Sequence, residues 1–148
     1  MIKRRLSAFL LTVVAASGSG PAATAAPAPP PPTVMVADTD TMGRVLTDPD
    51  GHTLYRYDAE TNATVACLGY CTITRKPLLV PLGTELRLPD GIAGTLGEVT
   101  RPDGGDQVTY DGSPLYRFTG DRGTADTSGV DLEWHVISPR TAGTGQLP

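Results

Sequence analysis

The sequence predicts an all-β domain: a small antiparallel sheet, or a sandwich or barrel of short strands, made from two pseudo-symmetric hairpin repeats. Short runs rich in Val, Thr, Leu and aromatic residues alternate with Gly, Pro and Asp, which is typical of strands and turns. No stretch of ten or more residues beyond the N-terminus keeps a helical period. The predicted strands are 44–48, 52–58, 97–101, 107–110, 114–118 and 132–137.

An internal repeat is the most specific feature of the chain. Residues 50–60, DGHTLYRYDAE, match residues 111–121, DGSPLYRFTGD, at a constant offset of 61 with five identical positions. Pro-Asp-Gly and Asp-Gly favour chain reversal, because proline fixes φ and glycine tolerates a positive φ. Each copy is therefore expected to be a turn followed by a strand.

The repeated motif predicts an aromatic core face. The motif residues are Tyr55, Tyr57, Glu60, Tyr116, Phe118 and Asp121. On a strand, residues two apart share a face, so the two aromatic residues of each copy point the same way. The acid that follows each strand is expected to accept a hydrogen bond from the next turn or from a tyrosine hydroxyl. On the functional alternative, Tyr116 and Asp121 would instead line an open pocket.

With these motifs the chain resembles a family of bacterial secreted repeats of unknown function, the predicted lipoproteins with a Tyr-x-aromatic-x-x-Asp motif. The resemblance covers about residues 43–138 and includes the pair Cys67 and Cys71. It implies a secreted β-repeat domain without a settled biochemical function. Two departures stand out: Glu60 replaces the usual Asp, and Arg75-Lys76-Pro77 replaces Trp-Pro-Pro after the second cysteine.

The N-terminal region predicts export. Residues 1–25 read as a signal peptide, with a basic start, a short apolar run and small residues before the cleavage site. Residues 26–33 form a Pro/Ala-rich spacer that favours extended polyproline II. The secreted two-repeat β domain is expected over 34–139 and a disordered tail over 140–148. No cysteine near the cleavage site could accept a lipid, so a secreted or cell-envelope location without stable membrane insertion is expected.

Cys67 and Cys71 are expected to form a disulfide, because exported proteins meet an oxidising compartment. A metal or redox site is the sharper alternative. Zinc would need two further ligands, and the two histidines, His52 and His135, show no ligand spacing. The prediction is therefore no metal site and no cofactor.

Charge and motifs exclude several function classes. Removal of the three signal-peptide charges leaves 9 basic and 16 acidic residues, a formal charge of −7, which disfavours nucleic acid as a partner. Neither a nucleophile elbow nor a phosphate loop nor a zinc-protease motif is present. The sequence therefore favours a non-enzymatic binding or structural module, with association with the cell wall or envelope left open and the partner unknown. The alternative is an extracytoplasmic redox, cofactor-binding or metal-binding protein.

Overall fold

The computed structural model describes residue 13, residue 15 and residues 17–143. Most of the predicted signal peptide, namely residues 1–12, 14 and 16, lies outside the described residues, as do residues 144–148 of the predicted tail. Within the described part of the chain, no helix has the length and apolar character that a bilayer crossing requires.

The described residues are mostly β, which confirms the predicted fold class. The strands are β1 (Met35–Thr39), β2 (Gly43–Thr47), β3 (Tyr55–Tyr57), β4 (Arg75–Pro77), β5 (Leu79–Val80), β6 (Ile92–Ala93), β7 (Leu96–Thr100), β8 (Asp106–Tyr110), β9 (Ser113–Pro114), β10 (Tyr116–Phe118), β11 (Trp134–Val136) and β12 (Arg140–Thr141). One short helix, α1 (Cys71–Thr74), precedes β4. The strands form several small antiparallel sheets.

The central sheet joins the two copies of the repeat. Its strand order is β11-β3-β10-β4, and Tyr55 of β3 lies directly opposite Tyr116 of β10. The strand that follows each motif pairs with the other copy, because β4 pairs with β10 and β11 pairs with β3. These pairings obey a twofold relation that exchanges the copies, with the two tyrosines at its centre.

The hairpins before each motif strand follow the same relation. Strands β1 and β2 form one hairpin, and β7 and β8 form the other. The Leu46 N–H donates to the Ile137 carbonyl at 2.9 Å, and in the other copy the Val108 N–H donates to the Leu78 carbonyl at 2.9 Å. Each hairpin is therefore bonded to the segment that belongs, in sequence, to the other copy.

Two apolar clusters form the interior. The first is mostly aliphatic and includes Leu46, Leu54, Val108 and Leu115, none of which is exposed. The second consists of Tyr55, Cys67, Tyr116 and Trp134. Three of these side chains come from strands of the central sheet and form its aromatic face, and Cys67 packs against them.

Residues of the predicted spacer and tail contact the domain at its two ends. The Thr33 N–H donates to the Arg87 carbonyl at 2.8 Å, and prolines 30–32 line a groove with Leu78 and Leu79, so the last spacer residues contact the domain. At the other end, Arg140–Thr141 in the predicted tail pairs with Ile92–Ala93.

Candidate functional site

The two motif tyrosines form hydrogen bonds across the copies. The Tyr55 hydroxyl donates to Asp121 Oδ2 at 2.8 Å, and the Tyr116 hydroxyl donates to Glu60 Oε1 at 2.8 Å. Each tyrosine is therefore paired with the acid of the other copy. Both tyrosine rings are fully buried, at 0% exposure, and burial raises the pKa of both hydroxyls far above their usual range.

The acid of the first copy is enclosed by protein. Glu60 is 2% exposed, and its Oε1 also accepts the backbone N–H groups of Ala66 and Cys67 at 2.7 and 2.8 Å. Its Oε2 atom is buried and has no hydrogen-bond partner among the described residues. This carboxylate therefore holds the following loop and the Tyr116 ring in place.

The acid of the second copy is only partly enclosed. Asp121 is of intermediate burial and borders two adjoining openings on the surface. Desolvation by the surrounding protein raises the pKa of Asp121, and the hydrogen bond from Tyr55 opposes that rise. The motif acid is thus a surface group in one copy and a core group in the other.

Two buried arginines accompany the tyrosines. The Arg75 guanidinium lies 4.3 Å from the Phe118 ring centroid and 4.5 Å from that of Trp134, and it donates to the Gly129 carbonyl at 2.8 Å. Arg101 donates to Gln107 and to the Cys67 carbonyl. The guanidinium of Arg75 therefore makes cation–π contacts with two rings of the aromatic face.

Arg75 and Arg101 were not among the predicted site residues. A buried arginine carries no local pattern, because its partners come from distant segments of the chain. For Arg75 the available signal was the departure of Arg75-Lys76-Pro77 from the pattern that the family resemblance implies after the second cysteine.

Tyr57 and Phe118 lie beside the buried tyrosines and are partly exposed. The ring of Tyr57 stacks on Trp134 with centroids 4.6 Å apart, and Trp134 meets Tyr116 edge-on at 5.1 Å. The aromatic face is therefore fully buried at its centre, where the two tyrosines lie, and partly exposed at its edges.

The predicted disulfide between Cys67 and Cys71 is confirmed. It closes a loop in which Leu68 and Tyr70 are exposed, while Cys67 itself is buried beside Tyr116. The bond belongs to the segment that surrounds Glu60, and the second copy has no counterpart to it in sequence.

The openings beside Asp121 form a cleft between the copies. One opening, of about 270 Å³, is lined by residues 50–52 and 121–124, and the other, of about 290 Å³, by His52, Lys76, residues 117–119 and Asp121. The Ala125 N–H donates to the Gly51 carbonyl at 3.0 Å and joins the turn of the first copy to the loop after Asp121. Because His52 and Asp121 border both openings, the two openings form one cleft.

One cluster beside the cleft has ligand atoms close enough for a cation. Asp48, Asp50 and His52 each offer one atom within 4.8 Å of the others. Asp48 is already engaged, because its Oδ1 accepts the N–H groups of Asp50 and His52 and its Oδ2 lies 3.2 Å from Arg117 Nη1. The nearby guanidinium disfavours a divalent ion at this carboxylate.

The comparisons with known proteins address the second copy. Residues 97–138 match the model of a family described as a secreted repeat of unknown function. This is the family that the motifs resembled. The match spans the β7–β8 hairpin, the second motif and β11. No curated protein and no solved structure was found to be significantly similar to the chain.

Proposed function

We propose that the domain is a non-catalytic extracytoplasmic module, with a binding or structural role at the cell envelope, and not an enzyme. The observation that carries this proposal is the burial of both motif tyrosines, each with its hydroxyl bonded to the acid of the other copy. A tyrosine hydroxyl that is buried and hydrogen-bonded in this way stabilises the fold and is not free to contact a substrate. The repeated motif therefore acts as a clamp between the copies.

The location outside the cytoplasm has three supports. The N-terminal residues have the pattern of an export signal, the matched family is described as secreted, and the disulfide suits an oxidising compartment. The proline-rich spacer ends against the domain at Thr33, which suits a stalk that presents the domain to its surroundings.

The binding surface in this proposal is the cleft beside Asp121. It contains charged groups of both signs, and its walls come from the turn of the first copy and the motif strand of the second. Concave sites with a few convergent polar groups are the usual form of small-ligand sites.

The decisive experiment is an absorption spectrum and a metal analysis of the secreted protein purified from its native host. A colourless, metal-free sample is expected. A stoichiometric chromophore or metal would contradict the proposal and favour the second candidate, an extracytoplasmic redox or metal-binding protein. That candidate draws on the cluster of Asp48, Asp50 and His52 and on the ring contacts of Trp134, which stacks on Tyr57 and meets Tyr116 edge-on.

A further inference from the structure

The outer face of the central sheet carries a row of four basic side chains, one from each strand. His135 lies directly opposite Arg56 in the β11–β3 pair, and Lys76 lies directly opposite Arg117 in the β4–β10 pair. Their neighbours along each strand belong to the aromatic face, so alternation places these four on the other side. The twofold relation between the copies exchanges the first pair with the second.

The first pair of the row, Arg56 and His135, is bridged by a carboxylate. Asp58 follows β3, accepts a hydrogen bond from Arg56 Nη1, and has its Oδ2 2.8 Å from His135 Nε2. These contacts lower the pKa of Asp58, mainly through the hydrogen bond from His135. The carboxylate thus bridges the two basic side chains.

In the second copy the corresponding position holds Thr119. The backbone is held in the same way at both positions: the Asp58 N–H donates to the Glu133 carbonyl and the Thr119 N–H to the Thr74 carbonyl, each at 2.9 Å. Threonine supplies a hydroxyl but no charge. The second pair of basic side chains therefore lacks the carboxylate that its counterpart has.

The two cations beside Thr119 are only partly neutralised by carboxylates of the protein. Within the described residues Lys76 has no ion-pair partner. Arg117 touches one carboxylate, that of Asp48, through Nη1 at 3.2 Å. Both side chains and Thr119 line the opening of about 290 Å³ described above. The opening and the basic side chains are therefore found together at the position where the second copy lacks a carboxylate.

We propose that this cleft is an anion site, in which a ligand carboxylate lies between Lys76, Arg117 and Thr119 at the place that corresponds to the Asp58 carboxylate in the first copy. The proposal rests on the proposed binding role of the cleft and names its ligand chemistry. A singly charged carboxylate suits the site better than a doubly charged phosphate, because Asp48 and Asp121 lie beside it and repel the extra charge.

Asp121, which also lines the opening, adds a second requirement. Its oxygens accept the Tyr55 hydroxyl, and a carboxylate has lone pairs for further donors. The ligand that fits is therefore a carboxylic acid that also carries a hydroxyl or ammonium donor.

The test is an NMR titration of the secreted chain with sodium acetate, compared with sodium chloride at equal ionic strength. Saturable shifts are expected at Lys76, Arg117 and Thr119, with one site per chain. Thr119→Asp installs the carboxylate of the first copy, so the acetate affinity should fall at least about tenfold. Thr119 is exposed, and the first copy shows that the same position accepts Asp.

The matched variant Asp58→Thr opens the corresponding place in the first copy. A second set of saturable shifts is expected at Arg56 and His135, which raises the number of sites to two. Without that second set, the correspondence between the copies would fail as the basis of the site.

The proposal is overturned if wild-type protein shows no saturable shift, if shifts spread evenly over surface cations, or if Thr119→Asp binds acetate as well as wild type. These outcomes leave the spectrum and metal content of the protein unchanged, so they would not overturn the non-catalytic module. A bound chromophore or metal would overturn the non-catalytic module and leave the anion site untouched.

Discussion

The two copies of the repeat share one clamp and differ in what surrounds it. In each, a buried tyrosine donates to the acid of the other copy, yet Glu60 is enclosed while Asp121 borders an open cleft. The difference comes from the loop after each acid. In the first copy the backbone of Ala66 and Cys67 folds over Glu60, and a disulfide holds that loop.

The loop after Asp121 is organised around other carboxylates. Asp126 accepts the Arg122 N–H and the Ser128 N–H and hydroxyl, and Asp131 accepts the N–H groups of Glu133 and Trp134. These groups cap their own turns and leave Asp121 only partly covered. The acid of the motif is therefore a buried support in one copy and a partly exposed carboxylate at a cleft in the other.

The largest expected effect comes from removing the ring at the centre of the clamp. Tyr116→Ala should lower the free energy of unfolding by about 3–5 kcal/mol, because it leaves a cavity and removes the donor to buried Glu60. Tyr70→Ala is the control: Tyr70 is 91% exposed, so the change should stay within about 0.5 kcal/mol. Chemical denaturation measures both, and a wild-type midpoint for Tyr116→Ala would refute the clamp.

Replacing the enclosed acid should have the next effect. Glu60→Gln places an amide group where Oε2 now lies buried without a partner, so the new N–H donors lack acceptors among the described residues. A loss of about 1–3 kcal/mol in the free energy of unfolding is expected. Equal stability of Glu60→Gln and wild type would show that Glu60 is less enclosed than described.

Loss of the disulfide tests the loop that encloses Glu60. Reduction, or the double variant Cys67→Ser with Cys71→Ser, should lower stability by about 2 kcal/mol, because the bond closes a short loop. The domain should still fold, since the second copy keeps its clamp without such a bond. Free thiols in the secreted, unreduced protein would contradict this account.

The smallest effect on stability is expected at Asp121, and it depends on pH. Burial raises the folded-state pKa of Asp121, so its contribution to stability is present below its unfolded pKa of about 3.9 and is lost as pH rises through the folded pKa. Asp121→Asn removes this dependence. The stability of wild type relative to Asp121→Asn should therefore fall as pH increases from about 3 to neutrality. If wild type instead became more stable relative to Asp121→Asn over that range, the folded-state pKa of Asp121 would be lowered and not raised.

The sequence was informative where structure is local. Tyr116–Phe118 and Trp134–Val136 lie within strands predicted from turn residues and β-branched or aromatic runs, and Asp106–Tyr110 was predicted to within one residue. The twofold relation was also expected from the constant offset of 61. These features depend on neighbours a few residues apart.

The features that could not be predicted depend on partners far apart in sequence. Strand β4 is three residues long and exists because it pairs with β10. That each tyrosine would meet the acid of the other copy follows from the tertiary arrangement, since both acids have the same spacing in sequence. The different burial of Glu60 and Asp121 is set by whole loops, which carry no periodic pattern.

The exchange of partners between the copies is the central claim, and a set of double-mutant cycles tests it most directly. Tyr→Phe at 55 and 116 is combined with Glu60→Gln or Asp121→Asn, and the free energies of unfolding are measured. The account predicts coupling of about 0.5–3 kcal/mol for Tyr55 with Asp121 and for Tyr116 with Glu60. The pairs within one copy, Tyr55 with Glu60 and Tyr116 with Asp121, should be additive to within about 0.5 kcal/mol. Coupling within each copy, and additivity between copies, would contradict the claim.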